Sequence, residues 1–185
     1  MGKQIFVSAA LLASAWASVA AVPVGAQAQT RHEQMWSSYD PTEINGAHGG
    51  RKLPTLVAGN PFGAPQSAVV EAVAEAMSGG RPTDQVVAAR APMRVLMLFN
   101  ATTRTGPRIC DRSQPLPLAD IGPRGGAVDL VATYCRGDAP QTQVWGSIDG
   151  VKGPDDPRFR DFIKQVTVSL FPPRNPDMQG DMYPD

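Results

Sequence analysis

Cys110 and Cys135 are the only cysteines in this 185-residue chain, so what they do constrains the fold more than any other feature. They bracket CDRSQPLPLADIGPRGGAVDLVATYC, a stretch too rich in Pro, Gly, Arg and Asp for a long regular element before Val128. A structural zinc site recruits four ligands, usually in close Cys/His pairs. Here the two histidines, His32 and His48, lie far upstream in an irregular segment. A thioredoxin-like redox site needs C-x-x-C, and that spacing does not occur. The pair therefore reads as one disulfide, a structural staple with no metal and no cofactor. Closing a loop of about 26 residues is worth about 3 kcal/mol in the chain-entropy model, a large share of a small domain's stability.

A disulfide requires an oxidising compartment, and the first residues are consistent with one. MGKQIFVSAALLASAWASVAAVPVGAQAQT has one basic residue, Lys3, an apolar run from about Ile5 to Val22, and the small-x-small tripeptide Ala26-Gln27-Ala28. That order reads as a signal peptide cleaved before Gln29, giving a periplasmic or secreted protein. The run is diluted by Ala and Ser, which argues against a retained membrane anchor. No cysteine follows it to accept a lipid, and Phe6 stands where myristoylation needs Ser or Thr. Seventeen Lys plus Arg balance seventeen Asp plus Glu. Removing the leader takes Lys3 alone, so the mature chain has no overall basic excess with which to hold nucleic acid or anionic lipid.

Residues 29–64 have no sustained period and read as an irregular N-terminal arm, with a short edge strand available at Leu53 to Val57 and a turn at GNPFG. An α+β domain is expected over 65–173. PQSAVVEAVAEAMSGG has Pro65 suited to the first helical position, an apolar face of Val69, Val70, Val73 and Met77, and Gly79 as C-terminal cap. TDQVVAAR is compatible with a helical turn capped by Thr83 or Asp84, and the sequence leaves it undecided. MRVLMLFN is apolar on both alternations, Val95, Met97 and Phe99 against Leu96 and Leu98, which suits a central strand covered on both faces.

AVDLVATYC and QTQVWGSID flank RGDAP as an antiparallel hairpin. The last helix has Asp155 or Asp156 as N-cap, Pro157 at its first position, and a stripe of Phe159, Phe162, Ile163, Val166 and Leu170. Pro172 and Pro173 stop it, and 174–185 reads as a mobile tail. The expected architecture is a two-layer α+β sandwich, a mainly antiparallel sheet of three to four strands packed by two amphipathic helices.

No catalytic set emerges. His-based nucleophilic chemistry needs a rigidly held imidazole, and both histidines fall in the arm. Asp111, Asp120, Asp129, Asp138 and Glu75 offer carboxylates, yet no spacing singles out an acid/base pair. Phosphate-cradling glycine patterns are absent from the sequence. Arg136-Gly137-Asp138 matches an adhesion tripeptide, but a hairpin turn favours Gly and Asp anyway. Trp145 and Tyr134 read as sheet-packing aromatics rather than a sugar platform. What remains is the loop from Ala101 to Ala127, where Arg104, Arg108, Arg112 and Arg124 interleave with Asp111 and Asp120. Arginine on a preorganised loop can grip carboxylate or phosphate bidentately, whereas an ordinary solvated loop would carry the same charges with little energetic effect.

GNPFG, LMLFN, YCRGDAPQTQVWG and GPDDPRFRDFIKQVTVSLFPP together resemble small exported bacterial envelope proteins, often lipoproteins, of unassigned function, over about Leu53 to Pro173. The resemblance implies a compartment and no activity, so no functional residue carries over. Lack of the lipid-accepting cysteine departs from that pattern and favours a soluble periplasmic form. RVLMLFNATTRTG is also similar to a strand-then-Asn-x-Thr segment of envelope-assembly lipoproteins of the curli-secretion and penicillin-binding-protein-activator type. The expectation is a non-enzymatic envelope accessory or binding protein that presents the loop to a partner, itself an envelope protein. The alternative is a periplasmic small-ligand sensor or weak hydrolase using the loop's arginines and carboxylates.

Overall fold

The computed structural model describes residues 28–36, 38–42, 53–78, 84–102, 106–118 and 126–174. The expected leader, His48, Gly79, Arg104, Asp120, Arg124 and the tail beyond 174 lie outside the described residues. The described chain is α+β, with five strands and three helices: β1 Gln29–Met35, β2 Thr55–Ala58, α1 Gln66–Ser78, α2 Gln85–Arg90, β3 Met93–Phe99, β4 Val128–Arg136, β5 Ala139–Ile148 and α3 Pro157–Leu170. The strands form one sheet in the order β1-β5-β4-β3-β2.

Three of the four pairings are antiparallel, and β2 runs parallel to β3. A parallel neighbour needs a crossover, which α1 and α2 supply between β2 and β3. The sheet thus has more strands than the sequence suggests and is mixed. Both additions come from the segment expected to be irregular. β2 falls close to the proposed edge strand, whereas β1 has the polar sequence QTRHEQM, with no apolar alternation to announce it. Strand β1 is held by its backbone ladder to β5, with a bulge between His32 and Gln34. Beyond it, the Trp36 N–H donates to the Gln141 carbonyl at 3.0 Å and the Tyr39 hydroxyl to the Pro172 carbonyl at 2.8 Å, so this segment ties both ends of the described chain to the sheet.

The two alternations of β3 part company as expected. Val95, Met97 and Phe99 join Leu130, Ala132, Tyr134, Val144 and Ile148 in a core closed by α1 and α3. Helix α3 begins at the N-cap Asp156, with Pro157 next, and buries the expected stripe of Phe159, Phe162, Ile163, Val166 and Leu170. It lies so close to the sheet that a Cβ on Gly146 would come within 2.8 Å of the Phe162 ring, which makes the absence of a side chain there a packing requirement. Helix α1 starts one residue after Pro65.

The other face gathers Leu96, Leu98, Val131, Cys135 and Trp145, and none of the three described helices supplies its hydrophobic cover. Ile109, Cys110, Leu116 and Leu118 do, from the loop after β3. Full burial of each large aliphatic side chain on this face is worth about 1.5–3 kcal/mol. The loop is therefore a second cover on the sheet, and a two-layer description omits it. It gets its shape from successive turns, Ile109 N–H to the Gly106 carbonyl, Asp111 to Arg108 and Gln114 to Asp111, and from a bridge between Ala101 and Leu118.

At the β2 edge the exposed ladder groups meet side-chain amides. The Val57 N–H donates to Gln85 Oε1 at 2.6 Å, Gln85 Nε2 donates to the Thr55 carbonyl at 3.1 Å, and Gln66 Nε2 donates to the Val57 carbonyl at 3.3 Å. Gln85 thus makes the two bonds that an incoming strand would make, and blunts an edge that could template aggregation.

Candidate functional site

The loop, the β4–β5 turn and the α2–β3 joint meet at one pole of the molecule, and the disulfide sits at their centre. Cys135 is at the end of β4 on the loop-covered face, Cys110 lies over it, and the bridge spans 5.7 Å between Cα atoms. Both are buried and no described cysteine is free. The staple expected from the cysteine count is therefore formed, and it fastens the loop's apolar side to the sheet.

Beside Cys135 in the ladder is Arg94, its register partner on β3. Alternation places Arg94 on the face of Leu96 and Leu98, under the loop, and only 2 % of it is exposed. A buried guanidinium requires acceptors, and it finds three carbonyls. Nη2 donates to Cys110 at 2.5 Å, while Nη1 donates to Gly137 at 2.8 Å and Ala91 at 3.2 Å. One side chain thus joins the loop, the hairpin turn and the α2–β3 joint. The turn is further held by the Gly137 N–H, which donates to the Pro92 carbonyl at 2.6 Å, with Gly137 at a φ of 61°. Burial, reinforced by the charge of Arg112 and opposed by Asp138, moves the Arg94 pKa below the usual arginine value.

Around this buried cation lies an exposed charged rim. Arg112 Nε donates to Asp138 Oδ1 at 2.8 Å, with both side chains about half exposed, and its Nη1 reaches the Arg90 carbonyl at 3.4 Å. The hydrogen bond from Arg112 holds the Asp138 carboxyl below the usual range. Asp111 accepts from the Ser113 hydroxyl at 2.7 Å and the Ser113 N–H at 2.9 Å, and these bonds lower its pKa as well. Arg108 is exposed and close enough to Asp111 to stabilise its charge.

Of the six loop residues singled out in the sequence, the structure brings Arg108, Asp111 and Arg112 together. Arg104, Arg124 and Asp120 lie outside the described residues. Sequence reasoning missed Arg94 and Asp138 as members of the same cluster. A signal for Arg94 was present, since one cation inside an otherwise apolar strand must be paired somewhere. Asp138 was visible as part of a tripeptide and as one of five carboxylates that no spacing paired, and its carboxylate is engaged by Arg112 rather than offered as an adhesion ligand.

The arrangement suits binding better than proton transfer. A general acid needs a carboxyl whose pKa is raised toward neutrality, and Asp111 and Asp138 are shifted the other way. Among the described residues no group of three or more His, Cys, Asp or Glu is placed to hold a metal ion. No described helix is long and apolar enough to cross a membrane. His32 lies in β1, and its side chain is outside what the structure describes.

One further position is conformationally unusual. Asn100 ends β3 at a φ of 55° and is 3 % exposed, its N–H donating to the Asp129 carbonyl at 3.1 Å and its buried Oδ1 unpartnered. It turns the chain from the central strand into the loop that covers the sheet. Nearby, Gly59 packs against the Phe99 carbonyl, where a Cβ would come within 2.2 Å.

No protein-family model, curated protein or solved structure matches this chain.

Proposed function

We propose that this chain is a non-enzymatic accessory or binding protein of the bacterial cell envelope, exported with cleavage before Gln29, and that it presents the disulfide-anchored pole to a partner. The observation that carries the reading is the mounting of the rim. Arg108 and Arg112 project from a loop fixed to the sheet by a disulfide and by a buried arginine with three carbonyl partners. Preorganised arginines lose little freedom on binding, which favours recognition of acidic groups. The leader and the resemblance to small exported envelope proteins supply the compartment.

A photocrosslinking residue at Arg108, introduced in cells, tests the reading. A discrete protein adduct, together with a mature chain whose mass starts at Gln29, is the expected result. A chain that keeps its leader, or a crosslinker that captures nothing, would overturn it.

A further inference from the structure

Helix α2 extends the pole. Its sequence is QVVAAR, and each end and one face are fixed. Asp84 caps the start by accepting from the Val86 and Val87 N–H groups at 2.8 and 3.1 Å, Gln85 closes the β2 edge, and Ala88 is buried. Val86 and Val87 nevertheless stand 62 % and 57 % exposed, the only large apolar side chains so exposed among the described residues apart from Val168 on α3. The fold uses the backbone of both valines and leaves both side chains in solvent.

Arg90 follows these valines by four and three positions, the spacing that puts side chains on neighbouring parts of one helical face. Its carbonyl accepts from Arg112, and the next carbonyl, that of Ala91, accepts from Arg94. The valines are therefore contiguous with the arginine rim, only about one helical turn from it. Exposed at this end are Arg90, Arg108, Arg112 and Arg136. Against these four and the buried Arg94, the described residues of the pole set three carboxylates, Asp138 bound to Arg112, Asp111 to Ser113 and Asp84 to the start of α2, so positive charge is in excess. A chain with balanced charge thus carries a locally basic surface beside a small apolar one.

Resting on the accessory reading above, we infer that α2 and the arginine rim form one docking surface for a protein segment that is acidic and carries apolar anchors. Val86 and Val87 meet the anchors, and Arg90, Arg108 and Arg112 meet the carboxylates. Charge complementarity of this kind sets encounter rate and orientation, and the buried apolar contact sets residence time.

The test uses the mature, oxidised chain. A fluorescein-labelled peptide of glutamates interrupted by single leucines should bind in a saturable, salt-sensitive manner. Affinity should fall about tenfold in Val86→Ser/Val87→Ser and again in Arg90→Glu/Arg108→Glu, with melting curves unchanged. Equal binding by these variants, equal binding of a peptide with lysine in place of glutamate, or preferential binding to phosphatidylglycerol vesicles would each overturn the inference. In cells, crosslinkers at Val87 and Arg108 should give an adduct of one mass that a crosslinker at Val168 does not give. An adduct from Arg108 alone leaves the accessory reading standing and removes α2 from the surface, an adduct from Val168 alone moves the partner to α3, and no adduct from any position removes the accessory reading itself.

Discussion

The guanidinium of Arg94 donates to the carbonyl of Cys110, the cysteine whose sulfur is bonded to Arg94's own ladder partner, Cys135. A covalent link and a charge-assisted hydrogen bond therefore tie the same loop residue to two adjacent strands. Replacing Arg94 with Met should destabilise the fold by about 2–4 kcal/mol, because three buried carbonyls lose a charged donor. Arg94→Lys keeps the charge but cannot reach three acceptors with a planar fork, so it should recover only part of the loss. Denaturant unfolding of the three proteins checks the order.

Reduction of the disulfide should release the loop without dismantling the sheet, since the core under α1 and α3 contains neither cysteine. Cys110→Ser should lower stability by about 3 kcal/mol and abolish the dependence of melting on reductant. Hydrogen exchange should then rise in residues 106–118 ahead of β3 and β4. An unchanged melting curve would contradict the staple.

Two glycines separate a soft obstacle from a hard one. Gly146→Ala pushes a methyl group against the edge of the Phe162 ring and should cost about 1–3 kcal/mol as overpacking. Gly59→Ala meets the Phe99 backbone carbonyl from a φ of 82°. Since that backbone cannot yield without displacing β3, the cost should be larger, and chemical denaturation of the two variants should rank them in that order.

The Tyr39 hydroxyl is pushed up to about 12, first by burial and then by the charge of Asp40. A raised folded pKa means that the stability from this protonated donor is complete below the unfolded value near 10 and is lost as pH rises toward 12. Tyr39→Phe should remove that alkaline transition, measured by melting temperature against pH.

Asp156 behaves in the opposite way. Its carboxylate is held well below the usual range, chiefly by Arg158, whose Nη2 lies 2.7 Å away, with backbone donors adding to the effect. The depressed pKa supplies stability that is complete above the unfolded value near 4 and is lost progressively as pH falls from there through the far lower folded value. Asp156→Asn should flatten the acid limb of the stability curve, and loss of α3 helicity below pH 4 in the parent chain, followed by circular dichroism, checks it.

Sequence alone determined the elements whose physics is local. The stripe and caps of α3 need only their own spacing, the doubly apolar β3 only its alternation, and the disulfide only two cysteines without a metal or redox spacing. What required the tertiary structure is everything contributed from a distance. Strand β1 is polar from Gln29 to Gln34 and becomes a strand because β5 offers it a ladder. The Cys110 loop reads as solvated and becomes a cover because Leu96, Leu98, Val131 and Trp145 need one. Arg90, Arg94, Arg112 and Asp138 fall on four segments of the chain, and only the meeting of α2, β3, the loop and the hairpin turn makes them a single basic pole. Local propensity acts over a few residues, whereas burial and charge depend on neighbours that folding alone brings together.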